Sequence, residues 1–306
     1  MIDRFLFNIA DKVPFQSLLN LSGMRLFLPF YHLVSDEPAP HIEQLYPVRN
    51  SARFKADLDW ILRYFQPVSL DEVIAGKQWN KPVFHLSFDD GLRQCYDTIA
   101  PVLLEKGIPA TFFINPDFID NNDLMYRYKA SLLAGRFPEL RQDFLPITYQ
   151  QKDQLDQEAD SRGVDFRHFL DDYQPYMTFD QISYLIKKGF GVGGHSMDHP
   201  LYSSLPLSGQ LLQTSHSLAF ISQKWGIPHP TFAFPFTDAG VNDAFFENLP
   251  PNTFTFGCAG VKKEHINTHF QRFAMEKYQF SAPVMIGAAY LSYLAKKMAG
   301  REYARR

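Results

Sequence analysis

The feature that most limits the fold of this chain is an alternation of short apolar runs with stretches of helical periodicity. The apolar runs occupy residues 26–32, 67–70, 83–88, 110–114, 191–195, 231–236, 253–256 and 270–275. Between two of them, Phe54, Leu58, Ile61 and Phe65 recur at the spacing of one helix face. Alternating strands and helices are typical of α/β proteins, so we predict a distorted (β/α) barrel of seven or eight mostly parallel strands.

One long segment, residues 115–178, interrupts this alternation with charged, helix-forming sequence. The strand pattern resumes after it, which favours a helical insertion over a second folded domain. The chain shows no internal repeat and no low-complexity linker. We therefore expect a single domain over residues 1–306, with a core of about 26–275, an insertion of about 115–178 and a C-terminal helix of about 281–306.

Charge and cysteine content exclude some classes of protein. The net charge is −3 and no basic run occurs, which argues against a nucleic-acid partner. Cys95 and Cys258 are too few for a disulfide framework, so we expect free thiols. The N-terminus lacks the continuous apolar segment of a secretory signal, and no run reaches the roughly 18 apolar residues of a membrane span. These features predict a cytoplasmic protein.

The C-terminal segment qualifies that prediction. Residues 283–295 are apolar, and a basic group follows: Lys296, Lys297, Arg301, Arg305 and Arg306. An apolar helix with a basic end is suited to the inner face of an anionic membrane, which would make the protein peripherally associated. The alternative is a last helix that packs on the body of the protein and leaves a solvated basic tail.

The sequence Ser87-Phe88-Asp89-Asp90-Gly91 places two adjacent carboxylates directly after a predicted strand. Barrel enzymes carry their chemistry at strand ends. Neighbouring carboxylates repel each other, so the pair requires a cation or a shared proton. A metal ion would use one carboxylate as a ligand and leave the other as a base. The alternative is a surface turn, since Asp-Gly is a common turn dipeptide.

A second motif, His195-Ser196-Met197-Asp198-His199, follows another predicted strand. Histidines four residues apart can bind one ion, either on a helix face or across a tight turn. Two imidazoles and one carboxylate, with open positions, form the ligand set of a catalytic zinc site. Two unrelated loop histidines are the alternative, but the two motifs fall on successive strand ends of the predicted barrel.

Together these motifs resemble those of the polysaccharide deacetylase family, also known as the NodB-homology domain or carbohydrate esterase family four. The first family motif is Thr-Phe-Asp-Asp-Gly, with Ser87 here in place of threonine. The second is His-Ser/Thr-x-x-His, matched by His195 and His199. The third ends in Pro-Tyr-Gly, where this chain has Pro235-Phe236-Thr237. The resemblance covers about residues 26–275.

The resemblance implies a role for each matched residue. Three residues would hold a divalent metal ion, with zinc as the expected metal: Asp90, His195 and His199. Asp89 would be the base that deprotonates metal-bound water, which attacks the acetyl carbonyl. The backbone N–H of Phe236, after Pro235, would help to bind the oxyanion.

The chain departs from the family pattern at a residue that orients the base. Many members carry an arginine two residues before the third-motif proline, where this chain has Ala233. We hypothesise that Arg272, on the last strand, supplies the missing guanidinium to Asp89. The alternative is a surface arginine near a strand end.

Many members also use a histidine near the end of the domain as general acid, and the last strand here offers none in that position. The candidates are His32, His265 and His269. His32 follows the first predicted strand and is the one we expect to face the site. A metal-bound water that returns the proton is an alternative.

The sequence thus predicts a metal-dependent hydrolase that removes acetyl groups from N-acetylated amino sugars of a polysaccharide or glycolipid precursor. Its expected partners are a carbohydrate substrate and a divalent metal ion. Two alternatives remain open: a catalytically weak, metal-retaining carbohydrate-binding protein, and a C–N hydrolase of a small nonsugar amide.

Overall fold

A computed structural model describes residues 4–304 of the chain. The strands are β1 Leu26–Phe27, β2 Pro29–Tyr31, β3 Gln66–Pro67, β4 Val83–Phe84, β5 Leu86–Phe88, β6 Ala110–Ile114, β7 Gly191–Gly194, β8 Thr231–Ala233, β9 Phe254–Gly257, β10 His269–Gln271 and β11 Phe273–Ala274. The α-helices are α1 Arg4–Ala10, α2 Phe15–Ser22, α3 Ser51–Tyr64, α4 Leu70–Ile74, α5 Ala100–Lys106, α6 Tyr126–Arg136, α7 Arg141–Phe144, α8 Asp153–Ser161, α9 Phe166–Tyr173, α10 Phe179–Lys187, α11 Leu207–Trp225, α12 Asp243–Glu247 and α13 Ala282–Met298. A π-helix and four 3-10 helices add short turns: Cys95–Ile99, Pro116–Asn121, Pro138–Leu140, Tyr149–Gln151 and Tyr202–Ser204.

Eight strands form one parallel sheet in the order β10-β9-β8-β7-β6-β5-β2-β11. Its two edge strands, β10 and β11, are separated in the chain only by Arg272. The segment 269–274 therefore pairs with β9 through its first half and with β2 through its second half. A small second sheet, β1-β4-β3, lies at the N-terminal ends of two of these strands. The main sheet thus returns almost onto itself, which confirms the predicted parallel barrel.

Local sequence sets where the barrel helices begin and end. Asn50 caps α3 by accepting a hydrogen bond from a backbone N–H of the first turn. Ser69 caps α4, and Glu72 completes a capping box with it. Gly107 ends α5 with φ of 63°, a left-handed conformation that glycine adopts without steric cost. These caps fix where α3 and α4 begin and where α5 ends, and β6 follows α5 in the chain.

The insertion contains the helices α6 to α9 and packs around a hydrophobic cluster of its own. Leu133, Phe144 and Leu155 belong to this cluster, together with Leu33 and Leu92, which follow β2 and β5. The insertion therefore covers the rim where these two strands end. We propose that it forms part of one domain with the barrel, with the boundaries expected from the sequence.

Helix α13 packs on the barrel with its apolar side buried. Met285, Ile286 and Tyr290 are fully buried, and the Tyr290 ring lies 5.1 Å from the ring of Phe15 in α2. The apolar side of α13, which suggested membrane contact, is thus buried against the rest of the protein. This agrees with the alternative of a last helix that packs on the body of the protein. Within residues 4–304, no helix has both the length and the apolar character needed to cross a bilayer. Peripheral contact through the basic end stays a prediction, and the last two residues of that end, Arg305 and Arg306, lie outside the described part.

Candidate active site

The candidate site residues follow the C-terminal ends of neighbouring strands. Asp89 and Asp90 come directly after β5, and His195 comes directly after β7. Because these strands are parallel neighbours of β6, their ends meet at one rim of the barrel. Gly193 lets β7 lie close to both neighbours, since a Cβ there would be 2.6 Å from side-chain atoms of β6 and of β8. Sequence and topology together bring the two motifs to one place.

Asp90, His195 and His199 converge with their polar atoms facing one another. The Oδ1 atom of Asp90 lies 3.3 Å from Nε2 of His195 and 3.2 Å from Nε2 of His199. All three side chains are buried. Burial raises the pKa of Asp90, but the facing histidines outweigh it and hold the pKa well below its usual range. Burial lowers the pKa of His199. The group therefore presents an ionised carboxylate and two imidazole rings as ligands.

Two of the polar atoms with which Asp90 and His195 face each other have no hydrogen-bond partner in the described part of the chain. Among residues 4–304, Asp90 Oδ1 and His195 Nε2 have no hydrogen-bond partner. His195 Nδ1 lies 2.8 Å from the carbonyl oxygen of Ala233, which can only accept, so the proton is on Nδ1 and the lone pair is on Nε2. A buried carboxylate oxygen and a buried lone pair aimed at one point are costly without a cation. The three side chains thus fit a metal ion.

A second group of possible ligands has a different character. Asp238, Glu264 and His269 also place ligand atoms within 4.8 Å of one another. Here, however, Gln271 Nε2 donates to Asp238 at 2.7 Å and to Glu264 at 3.0 Å, and His269 Nε2 lies 3.1 Å from Asp238. The Asp238 carboxylate also accepts the N–H of Cys258 at 3.1 Å. This hydrogen-bonded network anchors the loop after the third motif.

Asp89, the second carboxylate of the first motif, pairs with Arg272. Nη1 of Arg272 lies 2.7 Å from Oδ1, and Nη2 lies 2.8 Å from Oδ2, a bidentate arrangement. Nη1 also donates to Ser87 at 3.0 Å, and the guanidinium carbon lies 4.3 Å from the ring centre of Phe30. Arg272 is 1% exposed, which rules out the surface arginine considered from the sequence. The structure therefore brings to Asp89 the guanidinium that Ala233 cannot provide.

The third motif places Phe236 beside the histidines. The ring of Phe236 is 42% exposed and packs edge-on against His199, with 4.5 Å between ring centres. Among residues 4–304, the backbone N–H of Phe236, which follows Pro235, has no hydrogen-bond partner. The φ angle of Phe236 is 58°, and Asp90 and His199 also have positive φ, of 72° and 63°. Such strained backbone in non-glycine residues concentrates at functional sites.

Comparison with known proteins decides the family. A sequence profile of the family described as polysaccharide deacetylase matches residues 76–248, more than half of the chain. The chain belongs to the polysaccharide deacetylase family. This confirms the predicted class of enzyme, a carbohydrate deacetylase that hydrolyses carbon–nitrogen bonds other than peptide bonds. Among curated protein sequences, none matches the chain significantly.

Solved structures of deacetylases share the fold. The Streptococcus pyogenes deacetylase PplD in complex with acetate is 12% identical, with a TM-score of 0.59 over 87% of this chain and 98% of that one. IcaB from Ammonifex degensii is 15% identical, with a TM-score of 0.57 over 87% and 99% of the two chains. A de-N-acetylase from Aggregatibacter actinomycetemcomitans is 17% identical, with a TM-score of 0.56 over 85% and 98%. The barrel of this deacetylase is therefore the one that these enzymes share.

The deacetylase places His32 at the same rim, paired with Glu276. His32 Nδ1 lies 2.7 Å from Glu276 Oε2, and the two backbone N–H groups of His32 and Leu33 also donate to this carboxylate. Burial lowers the pKa of His32, but the hydrogen bond and charge of Glu276 outweigh it and raise the pKa to about 9. The other candidates lie elsewhere: His265 is exposed and stacks on Tyr303, and His269 belongs to the network around Asp238.

Two residues of this site have no motif in the sequence. Tyr128, on helix α6 of the insertion, is fully buried and donates a hydrogen bond of 2.7 Å to Asp90 Oδ2. It thereby turns the other oxygen, Oδ1, toward the histidines. Glu276 was equally unexpected, although its position directly after the last predicted strand was a usable signal. Nothing in the helical pattern of α6 distinguishes Tyr128 from the tyrosines around it.

A cavity of about 290 Å³ adjoins these residues in the deacetylase. Asp89, His32 and Phe236 line one side, and aromatic residues such as Tyr46 and Tyr278 contribute to its walls. Ligand sites in proteins span about 300–1,000 Å³, so this cavity lies just below that range. An aromatic wall beside the base and a histidine is suited to the face of a sugar ring.

Proposed function

We propose that this deacetylase removes acetyl groups from N-acetylated amino sugars of a polysaccharide or glycolipid precursor and requires a divalent metal ion, with zinc as the best fit. The three proposed ligands are Asp90, His195 and His199. One observation carries the proposal: a buried carboxylate oxygen and two imidazole nitrogens face one point, 3.2 to 3.3 Å from oxygen to nitrogen, directly beside Asp89. Two histidines, one carboxylate and open positions are the ligand set of catalytic zinc.

Asp89 is proposed as the base. When bound, the metal ion makes water more acidic and polarises the acetyl carbonyl. Burial raises the pKa of Asp89, but the charge of Arg272 outweighs it and lowers the pKa, so Asp89 is a carboxylate at neutral pH. Arg272 holds both oxygens in a fixed plane, and each oxygen keeps a lone pair for a proton. Asp89 takes the proton from the water as the water oxygen bonds to the acetyl carbon.

The negative charge then moves to the former carbonyl oxygen. The backbone N–H of Phe236 is proposed to donate to this oxyanion, since it lies at the rim without a protein acceptor. Its strained backbone, with φ of 58°, directs the N–H without relying on a flexible side chain.

His32 is proposed to protonate the leaving amine. A histidine with a pKa of about 9 carries a proton at neutral pH, and Glu276 fixes its orientation through Nδ1. As the carbon–nitrogen bond breaks, the nitrogen of the sugar takes this proton from Nε2, the ring nitrogen of His32 that does not contact Glu276. The acetyl group leaves as acetate.

The Glu276→Gln variant tests this assignment through pH. The general acid must be protonated, so the rate falls as pH rises through the pKa of His32. In the wild type we expect this fall near pH 9. Without the charge of Glu276, less opposes the lowering of the His32 pKa by burial, so the pKa drops and the fall in rate moves to lower pH. The measurement is kcat/KM for acetate release from neutral to alkaline pH, with the exposed Glu139→Gln as control. An unshifted alkaline limb in Glu276→Gln contradicts the role of His32.

The Arg272→Lys variant tests the orientation of Asp89. Lysine keeps the charge but cannot make two parallel hydrogen bonds, so we expect kcat to fall roughly tenfold to a hundredfold. Metal content should stay the same, because Asp90 and the histidines do not contact Arg272. Arg136→Lys, at an exposed position of α6, is the matched control. Unchanged turnover in Arg272→Lys overturns the positioning role.

The experiment that tests the whole proposal measures metal content and acetate release together. Purified protein is incubated with N-acetylated chitooligosaccharides, then treated with a chelator, and then given zinc. We expect release that stops with the chelator and returns with zinc. Release that persists in metal-free protein would contradict the metal requirement. A stoichiometric metal with no acetate from a broad panel of sugars would instead favour a binding protein.

The two alternatives have less support than the deacetylase. The binding protein was suggested by the altered third motif and the missing acid histidine. The pairing of Arg272 with Asp89 and the position of His32 on the cavity wall support the proposal that these two residues supply the missing groups. A hydrolase of small nonsugar amides would be supported by few aromatic residues around the metal, or by a closed pocket too small for a pyranose. The observed cavity has aromatic residues in its walls and extends from Asp89 to helix α13.

A further inference from the structure

The cavity beside Asp89 also reaches helix α13. Ala289, Ser292 and Lys296 line it, and their spacing of three and four residues places them on one face of this helix. From Ala289 to Lys296 the helix rises about 10 Å. The cavity therefore extends from Asp89 to helix α13 and offers space beside the base for a substituent of the sugar.

Two lysines lie on the wall of this cavity, and two further cations lie near one of them. Lys296 and Lys277 both line it. Burial lowers the pKa of Lys296, and the nearby charges of Lys262 and Arg301 lower it further. Within residues 4–304, no carboxylate lies within 4 Å of Lys277 or Lys296. Lys262 donates to the backbone carbonyl of Tyr303 at 3.3 Å. The two carboxylates on the cavity wall, Asp89 and Glu276, are already bonded to Arg272 and His32.

Helix α13 alone does not account for this charge. A lysine in the last turn of a helix is favourable by itself, because of the helix dipole. Lys277, from the loop after β11, also lines the cavity, and Lys262, from the loop after β9, lies near Lys296. Val261, Phe273 and Tyr278 add apolar surface to the wall of this cavity, which lowers the local dielectric and strengthens attraction to an anion.

We infer that the α13 end of this cavity binds a phosphate group, so that the substrate is an acetamido sugar carrying phosphate. This inference rests on the proposed deacetylation of N-acetylated sugars. Phosphate matches the ammonium groups of Lys277 and Lys296 better than a neutral sugar does, since charge-assisted hydrogen bonds are about twice as strong as neutral ones. A sugar nucleotide and a lipid-linked sugar phosphate share this chemistry.

The test compares N-acetylglucosamine with N-acetylglucosamine 1-phosphate on the metal-loaded protein. We expect kcat/KM for acetate release to be at least about tenfold higher for the phosphorylated sugar. The double variant Lys277→Gln/Lys296→Gln should lower the ratio of the two kcat/KM values to near one. Lys224→Gln, on the exposed side of α11, is the control and should keep the ratio. Higher ionic strength should also reduce the ratio. Equal kcat/KM values in the wild type overturn the inference.

Binding separates failure of this inference from failure of the proposed function. Calorimetry with N-acetylglucosamine 1-phosphate should show affinity that the double variant loses, whether or not acetate is released. Binding without turnover would support the phosphate site and contradict the deacetylation of this substrate. Turnover of the neutral sugar with no preference for the phosphorylated one would support the proposed deacetylase activity and contradict the phosphate site. Uridine diphosphate N-acetylglucosamine and a polyprenyl-phosphate-linked sugar in detergent micelles then show which source of phosphate gives the higher kcat/KM.

Discussion

The His195→Ala variant should bind no stoichiometric metal and should lose acetate release by about a thousandfold or more. His195 contributes one of three proposed ligands, and its Nε2 faces the carboxylate of Asp90 at 3.3 Å. Lewis-acid catalysis supplies several kcal/mol of transition-state stabilisation, which corresponds to a rate loss of this size. The measurements are zinc content after gel filtration and kcat/KM for acetate release.

The control for this variant is His216→Ala. His216 is exposed on α11, so its removal tests whether any histidine replacement has the same effect. The control should keep its metal and its activity. A His195→Ala protein that retains one zinc per chain and full turnover would show that the metal, if any, lies elsewhere.

The Asp89→Asn variant should retain its metal but lose acetate release by about a hundredfold to ten-thousandfold. An amide cannot accept the proton of the attacking water, and general-base catalysis contributes a factor of this order. Metal content should be unaffected, because the proposed ligand is Asp90. The exposed Asp160→Asn is the matched control. If Asp89→Asn turns over at the wild-type rate, another group is the base.

Stability complicates this variant, and a second variant separates the two effects. Asp89→Asn leaves the buried guanidinium of Arg272 without its partner, which costs about 3–5 kcal/mol when one member of a buried pair is removed. The double variant Asp89→Asn/Arg272→Met removes both charges and should recover much of the melting temperature. Its activity should stay low, since the base is still missing. Activity that returns with stability would show that Asp89 acts only through the fold.

The sequence predicts those parts of the fold and of the site that are formed by residues adjacent in the chain. The carboxylate pair and the two histidines each occupy a few adjacent positions after an apolar run, so their place at one rim follows from the barrel alone. Helix α3 was predictable because its buried residues repeat at helical spacing. By contrast, α11 buries Gln210, Thr214 and Ser217 along with apolar residues, which hides its period in the sequence.

The parts that the sequence does not predict depend on distant segments that meet in the fold. Tyr128 reaches Asp90 across 38 residues, and Glu276 reaches His32 across 244 residues. No local pattern encodes either contact, because each depends on how the insertion and the last strand close over the rim. Arg272 was predictable as a hypothesis only because the resemblance showed that Asp89 lacked a partner.

Anomalous diffraction from crystals of the zinc-loaded protein, recorded at the zinc absorption edge, tests the central claim most directly. We predict one strong peak about 2.0–2.2 Å from Nε2 of His195, Nε2 of His199 and a carboxylate oxygen of Asp90. A peak among Asp238, Glu264 and His269 instead, or none between the two histidines, would contradict the proposed metal centre and the mechanism built on it.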